Sequence, residues 1–492
     1  MPCVSPTIGG PSKALCKGQD RARCPDSVTI KTLPDDVLLG IFYFFVKDWS
    51  TTASGWQTLA HVCQRWRDIV LASPRRLNLR LVYKGNRPIT EMPYVCSVLP
   101  VVISLAIDDP YPRCRPNPYL DLWVNATAFL ESEHCHRIVE IDLCGIPDSQ
   151  MQMKRLAAAM EKPFPQLTYL RICAGYDYRM SLSDSFLGGS APLLRHLELR
   201  MCSFPGIPKL LLSANNLVTL CVQNIPSSVY ISPQTWVTIL SVMDRLESFR
   251  LGLPHLPRDP GSRPSLTRSV LPALTELGFE GSHKYLEELL GQIEVPFLNK
   301  LVVSFFKDNF VVPQLHQLIN HAESFKACDR ATVFIDFDSV RFAILKETNG
   351  SPELSLKIMS RESGHQFSSL AQLCSPSLHL PSTLVQLHIR DIELSNPRFY
   401  RESTQCVEFL DLFIAVKDLC LTKHVGRHVC QVLGELTEDR ETEVLPALQN
   451  IFLPRLRPWK SVPKYVQQFI AARQLSGHPV AVYPRRPVSA EH

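Results

Sequence analysis

With 492 residues, 45% hydrophobic and 20% charged, the chain can bury a large core, which excludes wholesale disorder. The 52 Lys and Arg against 47 Asp and Glu leave a formal charge of only +5. That excess is small for a dedicated nucleic-acid binder, which shows a concentrated basic face, so no nucleic-acid partner is expected. The longest apolar run, residues 37–46, falls short of the roughly 20 residues that span a bilayer. The start, Met1-Pro2-Cys3-Val4-Ser5-Pro6, lacks a signal-type apolar stretch. The expectation is a protein of the cytoplasm or nucleus with no membrane partner.

Residues 1–27 mix Pro, Gly, Ser, Lys and Arg without periodicity and read as a disordered leader. Residues 28–76 are helical in pattern. Thr32-Leu33-Pro34-Asp35 reads as a helix start, with a Thr cap, Pro in the first turn and acids near the positive end of the dipole. Val37, Leu38, Ile41, Phe42 and Phe45 then share one apolar face, while Leu39, Tyr43 and Val46 form a second stripe. A helix apolar on two faces has to be covered twice. After a polar stretch at 47–55, Leu59, Val62, Cys63, Trp66, Ile69 and Val70 predict one amphipathic helix that Pro74 ends. Some 45 residues hardly make an independent core. This module therefore needs the rest of the chain, a partner, or both.

From residue 77 the period changes. Short strands of the form L-x-x-L-x-L begin at Leu167, Leu194, Leu217, Leu246, Leu274 and Leu298, which are 23 to 29 residues apart, and again at Leu384 and Leu448. Between them lie helical spacings such as Met153, Leu156, Ala157, Met160 and Trp236, Ile239, Leu240, Met243. Pro165, Pro192, Pro272, Pro296 and Pro446 stand just before the strands, where proline is tolerated. The pattern loosens over 304–383, a last helix is expected at 465–475, and 476–492 read as a tail. Spacing and motif resemble a leucine-rich repeat. The predicted fold class is an α/β repeat: a short all-α module, then an irregular leucine-rich-repeat solenoid over 77–475 with a parallel sheet.

The run Leu33-Pro34-Asp35-Asp36-Val37-Leu38-Leu39-Gly40-Ile41-Phe42 looks like the opening of an F-box. Val62-Cys63-Gln64-Arg65-Trp66-Arg67 resembles its second half, and Ser73-Pro74-Arg75-Arg76-Leu77 its exit. The whole is similar to the large fungal F-box families with degenerate leucine-rich repeats. That resemblance implies docking of a Skp-type adaptor, and through it a cullin, within an SCF-type ubiquitin ligase. Leu33 and Pro34 would begin the adaptor contact, Val37, Leu38, Ile41 and Phe42 would supply the first helix, and Val62, Cys63 and Trp66 would pack the second. The alternatives are a repeat scaffold without a role in ubiquitination, and an enzyme with a cysteine nucleophile.

In such arrays the residue between the paired leucines points to the concave face. That column reads Asp142, Arg171, Glu198, Cys221, Arg250, Gly278, Val302, Asp336, Lys357, His388, Cys420 and Phe452. Its mixture of signs suits a protein target better than a phosphate backbone. Arg171, Glu198, Arg250, Asp336 and His388 are the candidate target contacts.

The 16 cysteines include no C-x-x-C pair and read as reduced, small hydrophobes. Cys420, His424, His428 and Cys430 are metal-capable, but Cys420 lies in a strand pattern and the spacing matches no common zinc finger, so no metal is expected. Asp336 and Asp338 alternate with apolar neighbours as a solvated strand face does. No G-x-x-x-x-G-K-[ST], G-x-S-x-G or H-E-x-x-H occurs. Neither cofactor nor catalysis is expected.

Overall fold

A computed structural model of the chain describes residues 30–48, 55–85, 99–106, 120–145, 149–174, 180–225, 230–253, 268–306, 311–336, 338–345, 352–359, 366–374, 377–391, 403–436, 440, 442–454 and 464–485. The 1–27 leader and most of the polar 47–55 stretch lie outside the described residues. The chain divides into two compact units, Met1–Arg80 and Leu81–His492.

The described residues of the first unit form three helices, α1 (Asp35–Asp48), α2 (Gly55–Val62) and α3 (Gln64–Ala72). Asp35 and Asp36 occupy the first turn of α1, where the helix dipole favours acids. Leu38, Leu39 and Phe42 are buried together with Trp56, Leu59, Ala60, Ile69 and Val70. Phe42 and Trp66 lie ring to ring at 4.7 Å. The single helix expected over 59–70 is two helices. Cys63 is extended, at φ −159° and ψ 169°, and splits it. Arg67 Nε donates to the Ala60 carbonyl at 3.0 Å, satisfying an acceptor near the end of α2.

The second unit is a strand–helix solenoid. β1 (Leu81–Tyr83) and β2 (Val101–Ala106) open it, and α4 (Leu120–Glu131) returns the chain to β3 (Ile138–Cys144). Then follow α5 (Gln150–Ala159), β4 (Tyr169–Cys173), the short β5 (Met180–Ser181), β6 (His196–Arg200), β7 (Cys202–Ser203), α6 (Ile207–Ser213) and β8 (Thr219–Gln223). The array continues with α7 (Pro233–Leu240), β9 (Ser248–Gly252), β10 (Ser269–Val270), β11 (Glu276–Gly281), α8 (His283–Leu290), β12 (Ile293–Glu294) and β13 (Lys300–Phe305). Sixteen of the described strands form one sheet, while β5–β7 and β10–β12 form small side pairs. From β1 to β13 every neighbouring pair in the large sheet is parallel.

Alternation explains the sheet. Leu170 and Ile172, Leu197 and Leu199, Phe249 and Leu251, and Leu301 and Val303 all point into the core, while the residues between them face the other way. α4 packs on α5, α6 on α7 and α7 on α8, so these repeats bury their apolar sides against their neighbours. Some helix starts carry a serine cap. Ser232 Oγ, for one, accepts the Thr235 N–H at 3.1 Å.

Two departures from the predicted solenoid stand out. After α9 (Pro313–His321) and α10 (Glu323–Lys326), the chain forms β14 (Arg330–Ile335), β15 (Ser339–Leu345) and β16 (Pro352–Met359). In the sheet these run β13-β16-β15-β14-β17, so β15 is antiparallel to both neighbours and the sheet is not wholly parallel. The links at 336–338 and 346–351 are too short for a crossover, which takes a dozen or more residues; only reversal is possible. Val340, Phe342 and Ile344 still alternate inward with Leu354, Leu356 and Ile358, so the core continues. Beyond α11 (Gln366–Leu373), β17 (Gln386–Asp391), α12 (Ser403–Leu410), β18 (Asp418–Leu421), α13 (Lys423–Gly434), β19 (Asn450–Pro454) and α14 (Lys464–Leu475), a last strand, β20 (Ala481–Arg485), pairs with β19. The segment read as a tail thus closes the sheet, with Tyr483 stacked on Phe452 at 5.5 Å and Val480 buried.

Candidate binding surfaces

The N-terminal unit divides the residues that sequence had grouped. Leu38 and Phe42 are wholly buried, whereas Val37 and Ile41 are 46% and 43% exposed. The face expected from i, i+1, i+4, i+5 spacing is therefore two faces, one forming this unit's own core and one open. Tyr43 and Phe44, which the sequence reading left out of the site, are exposed as well. On α2, Val62 is 56% exposed, and Cys63 beside it is exposed. Trp66 is half-buried on Phe42, Leu33 half-buried and Pro34 exposed. Arg65 fixes the entry to α1: its guanidinium donates to the carbonyls of Lys31 and Leu33, both at 2.7 Å, and to Asp35 Oδ1 at 2.5 Å.

The second surface is the side of the large sheet that points away from the core. Strand register aligns Asp142, Arg171, Glu198, Cys221, Arg250, Gly278 and Val302 in one row. Arg171 Nη1 lies 3.7 Å from Asp142 Oδ2, and its Nε 3.5 Å from Glu198 Oε2. Arg200 Nε meets Glu198 Oε1 at 2.5 Å. Arg250 and Lys300 share Glu276, at 3.4 and 3.6 Å. Burial opposes the charge on Arg171, but Cys144, Glu198 and Asp142 outweigh it and raise its pKa. Burial in turn raises the Asp142 carboxyl against the pull of Arg171. A hollow of about 340 Å³ lies over this stretch, lined by Glu198, Arg200, Cys221, Glu247, Arg250, Glu276 and the hydroxyls of Thr219, Ser248 and Thr275. Both signs of charge line it.

Past Val302 the row continues through Ser355, Ala343 and Thr332, which are buried, to His388, Cys420 and Phe452. Asp336 and Lys357, expected there, are not in it. The hairpin displaces the register: Lys357 aligns with Ser304 and Arg341, and Asp336 sits beyond β14 in the turn, its N–H donating to Ser339 O at 2.8 Å. Arg171, Glu198 and Arg250 are thus brought together, His388 stands further along the same row, and Asp336 is separated from them.

Sequence reasoning also passed over Cys144 and Cys173, register partners at the ends of β3 and β4. Alternation with Leu143 and Ile172 marks both as outward-facing in the sequence, but not as partners. Among the described residues no three His, Cys, Asp or Glu side chains are placed to hold a metal ion. Cys420 is half-buried on β18 and Cys430 buried on α13. No described helix is long and apolar enough to cross a membrane.

No protein-family description matches the chain, and no curated protein matches it in sequence. Among solved structures it is similar to the leucine-rich repeat-containing protein LegL7 from Legionella pneumophila, at 14% identity and a TM-score of 0.25, over 70% of this chain and 91% of that one. The strand register above, and not this likeness, defines the repeat architecture.

Proposed function

We propose that the chain is the substrate-recognition subunit of an SCF-type cullin–RING ubiquitin ligase. The N-terminal helices would dock a Skp-type adaptor, and the leucine-rich repeats would bind a target protein. The observation that carries the reading is the outer side of α1. Val37, Ile41 and Phe44 are exposed on a helix whose other side already fills the unit's core. Apolar side chains clustered this way on a small unit mark a protein contact. The F-box-like runs at 33–42 and 62–67 suggest which contact.

Leu38 and Phe42, being core residues, would support that contact by holding α1 in place, while Val37, Ile41 and Val62 would touch the adaptor. The subunit would do no chemistry. It would hold the target beside a ubiquitin-charged enzyme elsewhere in the assembly, raising the effective concentration of the reacting groups.

The test is co-purification of the full chain with a Skp-type adaptor. Wild type should capture it. Val37→Asp with Ile41→Asp should weaken capture about thirtyfold or more, as loss of a central apolar contact does. Leu33→Ala with Pro34→Ala should weaken it as well. A folded wild-type chain that captures no adaptor would overturn the ligase reading and leave a repeat scaffold.

A further inference from the structure

Cys144 ends β3 and Cys173 ends β4, and the two are register partners on the exposed side of the sheet. Both are half-buried free thiols. In-register residues of neighbouring strands stand about 4.8 Å apart. That lies within the roughly 4.4–6.8 Å between Cα atoms that a disulfide needs. The ladder ends at this pair, and Gly145, at φ 76°, follows Cys144 directly. Glycine there lets the backbone adjust as the sulfurs close on each other.

The surroundings distinguish the two sulfurs. The other register partner of Cys173 is Arg200, and Arg171 lies two residues back on the same face of the same strand. Cys144 instead has Asp142 in that place, and its thiol donates to Asp142 Oδ1 at 3.5 Å. The neighbouring Cys144, helped by the two guanidiniums, holds the Cys173 thiol below its ordinary pKa against burial and Glu198. The neighbouring Cys173, with burial and Asp142, pushes Cys144 up. The thiolate is the reactive form of cysteine. Cys202 on β7 and Cys221 on β8 are buried and pushed up to about 12 and about 11. They are built-in controls.

The geometry points to Cys144 and Cys173 as an oxidisable dithiol on this surface, with Cys173 as the attacking sulfur, Cys144 as the resolving one and a hydroperoxide as the oxidant. The Cys173 thiolate attacks one peroxide oxygen. The O–O bond breaks, an S–O bond forms, and the leaving oxygen takes a proton and departs as water or alcohol. The Cys144 sulfur then attacks the sulfenic sulfur, forming the S–S bond, while the hydroxyl leaves with the Cys144 proton as water. The two thiols lose two electrons and the peroxide gains them. This inference stands apart from the ligase reading and needs no adaptor or target.

The experiment treats the reduced full-length chain with hydrogen peroxide, blocks remaining thiols with iodoacetamide and maps peptides by mass spectrometry. The expected product is a Cys144–Cys173 cross-linked peptide that a dithiol reductant reverses. In Cys144→Ser, Cys173 should stop at the sulfenic acid and be trapped by dimedone. In Cys173→Ser, Cys144 should stay reduced at the same dose. Iodoacetamide should alkylate Cys173 about tenfold or more faster than Cys202 or Cys221 at neutral pH, with a midpoint below that of an ordinary thiol. Absence of the cross-link in protein shown folded by circular dichroism, or equal reactivity of Cys173 and Cys202, would overturn the proposal.

Discussion

Arg65 in α3 reaches back to Asp35 at the start of α1, with Nη2 2.5 Å and Nε 3.1 Å from the same carboxylate oxygen. The same guanidinium holds the carbonyls of Lys31 and Leu33. It thereby sets the path of the Leu33-Pro34 segment without belonging to the apolar face of α1. Arg65 is 41% exposed and Asp35 63% exposed, so water screens the pair. Arg65→Ala is expected to cost only about 1 kcal/mol of local stability. Its larger effect should fall on order: amide exchange over 30–40 should speed up markedly while 64–72 stays protected. Equal protection of 30–40 in wild type and variant would show that α1 holds the segment unaided.

Arg473 is the opposite case, a guanidinium with no exposure at all. Its Nη2 donates to the carbonyls of Leu445, Pro446 and Leu448 at 3.4, 3.2 and 3.4 Å. Leu445 itself has φ 50°, a conformation that is costly for a leucine. The charged donor on α14 thus holds together the turn that leads into β19. Arg473→Ala removes the donor and strands buried carbonyls, at an expected cost of about 2–4 kcal/mol. Repeats interact mainly with their neighbours, so the loss should appear as early unfolding of 442–485. Denaturant-dependent exchange resolved by segment reads it directly.

The outward-facing row of the sheet can be tested by charge. Arg171 stands between Asp142 and Glu198. Arg171→Glu replaces two attractions with two repulsions between adjacent strands, an expected loss of about 1–2 kcal/mol. Added salt should narrow the gap between variant and wild type, because partly exposed charges are screened. Thermal unfolding at low and high ionic strength measures both effects. A salt-independent difference would assign the loss to packing and not to the charge row. If the surface binds a target as proposed, Arg250→Glu should weaken capture, since Arg250 lines the hollow beside Glu276.

How much of this was legible follows from what each signal encodes. The L-x-x-L-x-L frame gives alternation and period, and those determine the inward set, from Leu170 and Ile172 to Ile451 and Leu453. The same frame could not foresee β15, because Val340, Phe342 and Ile344 alternate in the same way whichever direction the strand runs. Direction came from link length, and the shifted register removed Asp336 and Lys357 from the row. On α1 the stripes of Leu38 and Phe42 and of Val37 and Ile41 are equally apolar. Hydrophobicity cannot say which one faces Trp56, Leu59 and Ile69. The pairing of Cys144 with Cys173 was hidden because it depends on the registration of two strands separated by a helix.

Acid should loosen the solenoid through its buried histidines. Burial lowers His428 from the ordinary value near 6.5 to about 4, partly offset by Glu435. His316 is also lowered by burial, and its ring is satisfied by Ser377 Oγ at 2.6 Å and the Leu373 carbonyl at 2.8 Å. A histidine whose folded pKa lies below its unfolded one binds its proton more readily after unfolding. Its contribution to stability is complete above about pH 6.5 and declines as the pH falls towards 4. For His428 that decline amounts to at most about 3 kcal/mol. Glu280, Glu287 and Asp411 are raised by burial and act in the opposite direction, favouring the folded state as they take up protons. The raw acid curve therefore mixes two signs, and the difference between wild type and His428→Leu isolates the histidine. Stability from urea unfolding should fall more steeply in wild type than in the variant between pH 6.5 and 4. Parallel curves across that window would place the His428 imidazole within reach of water.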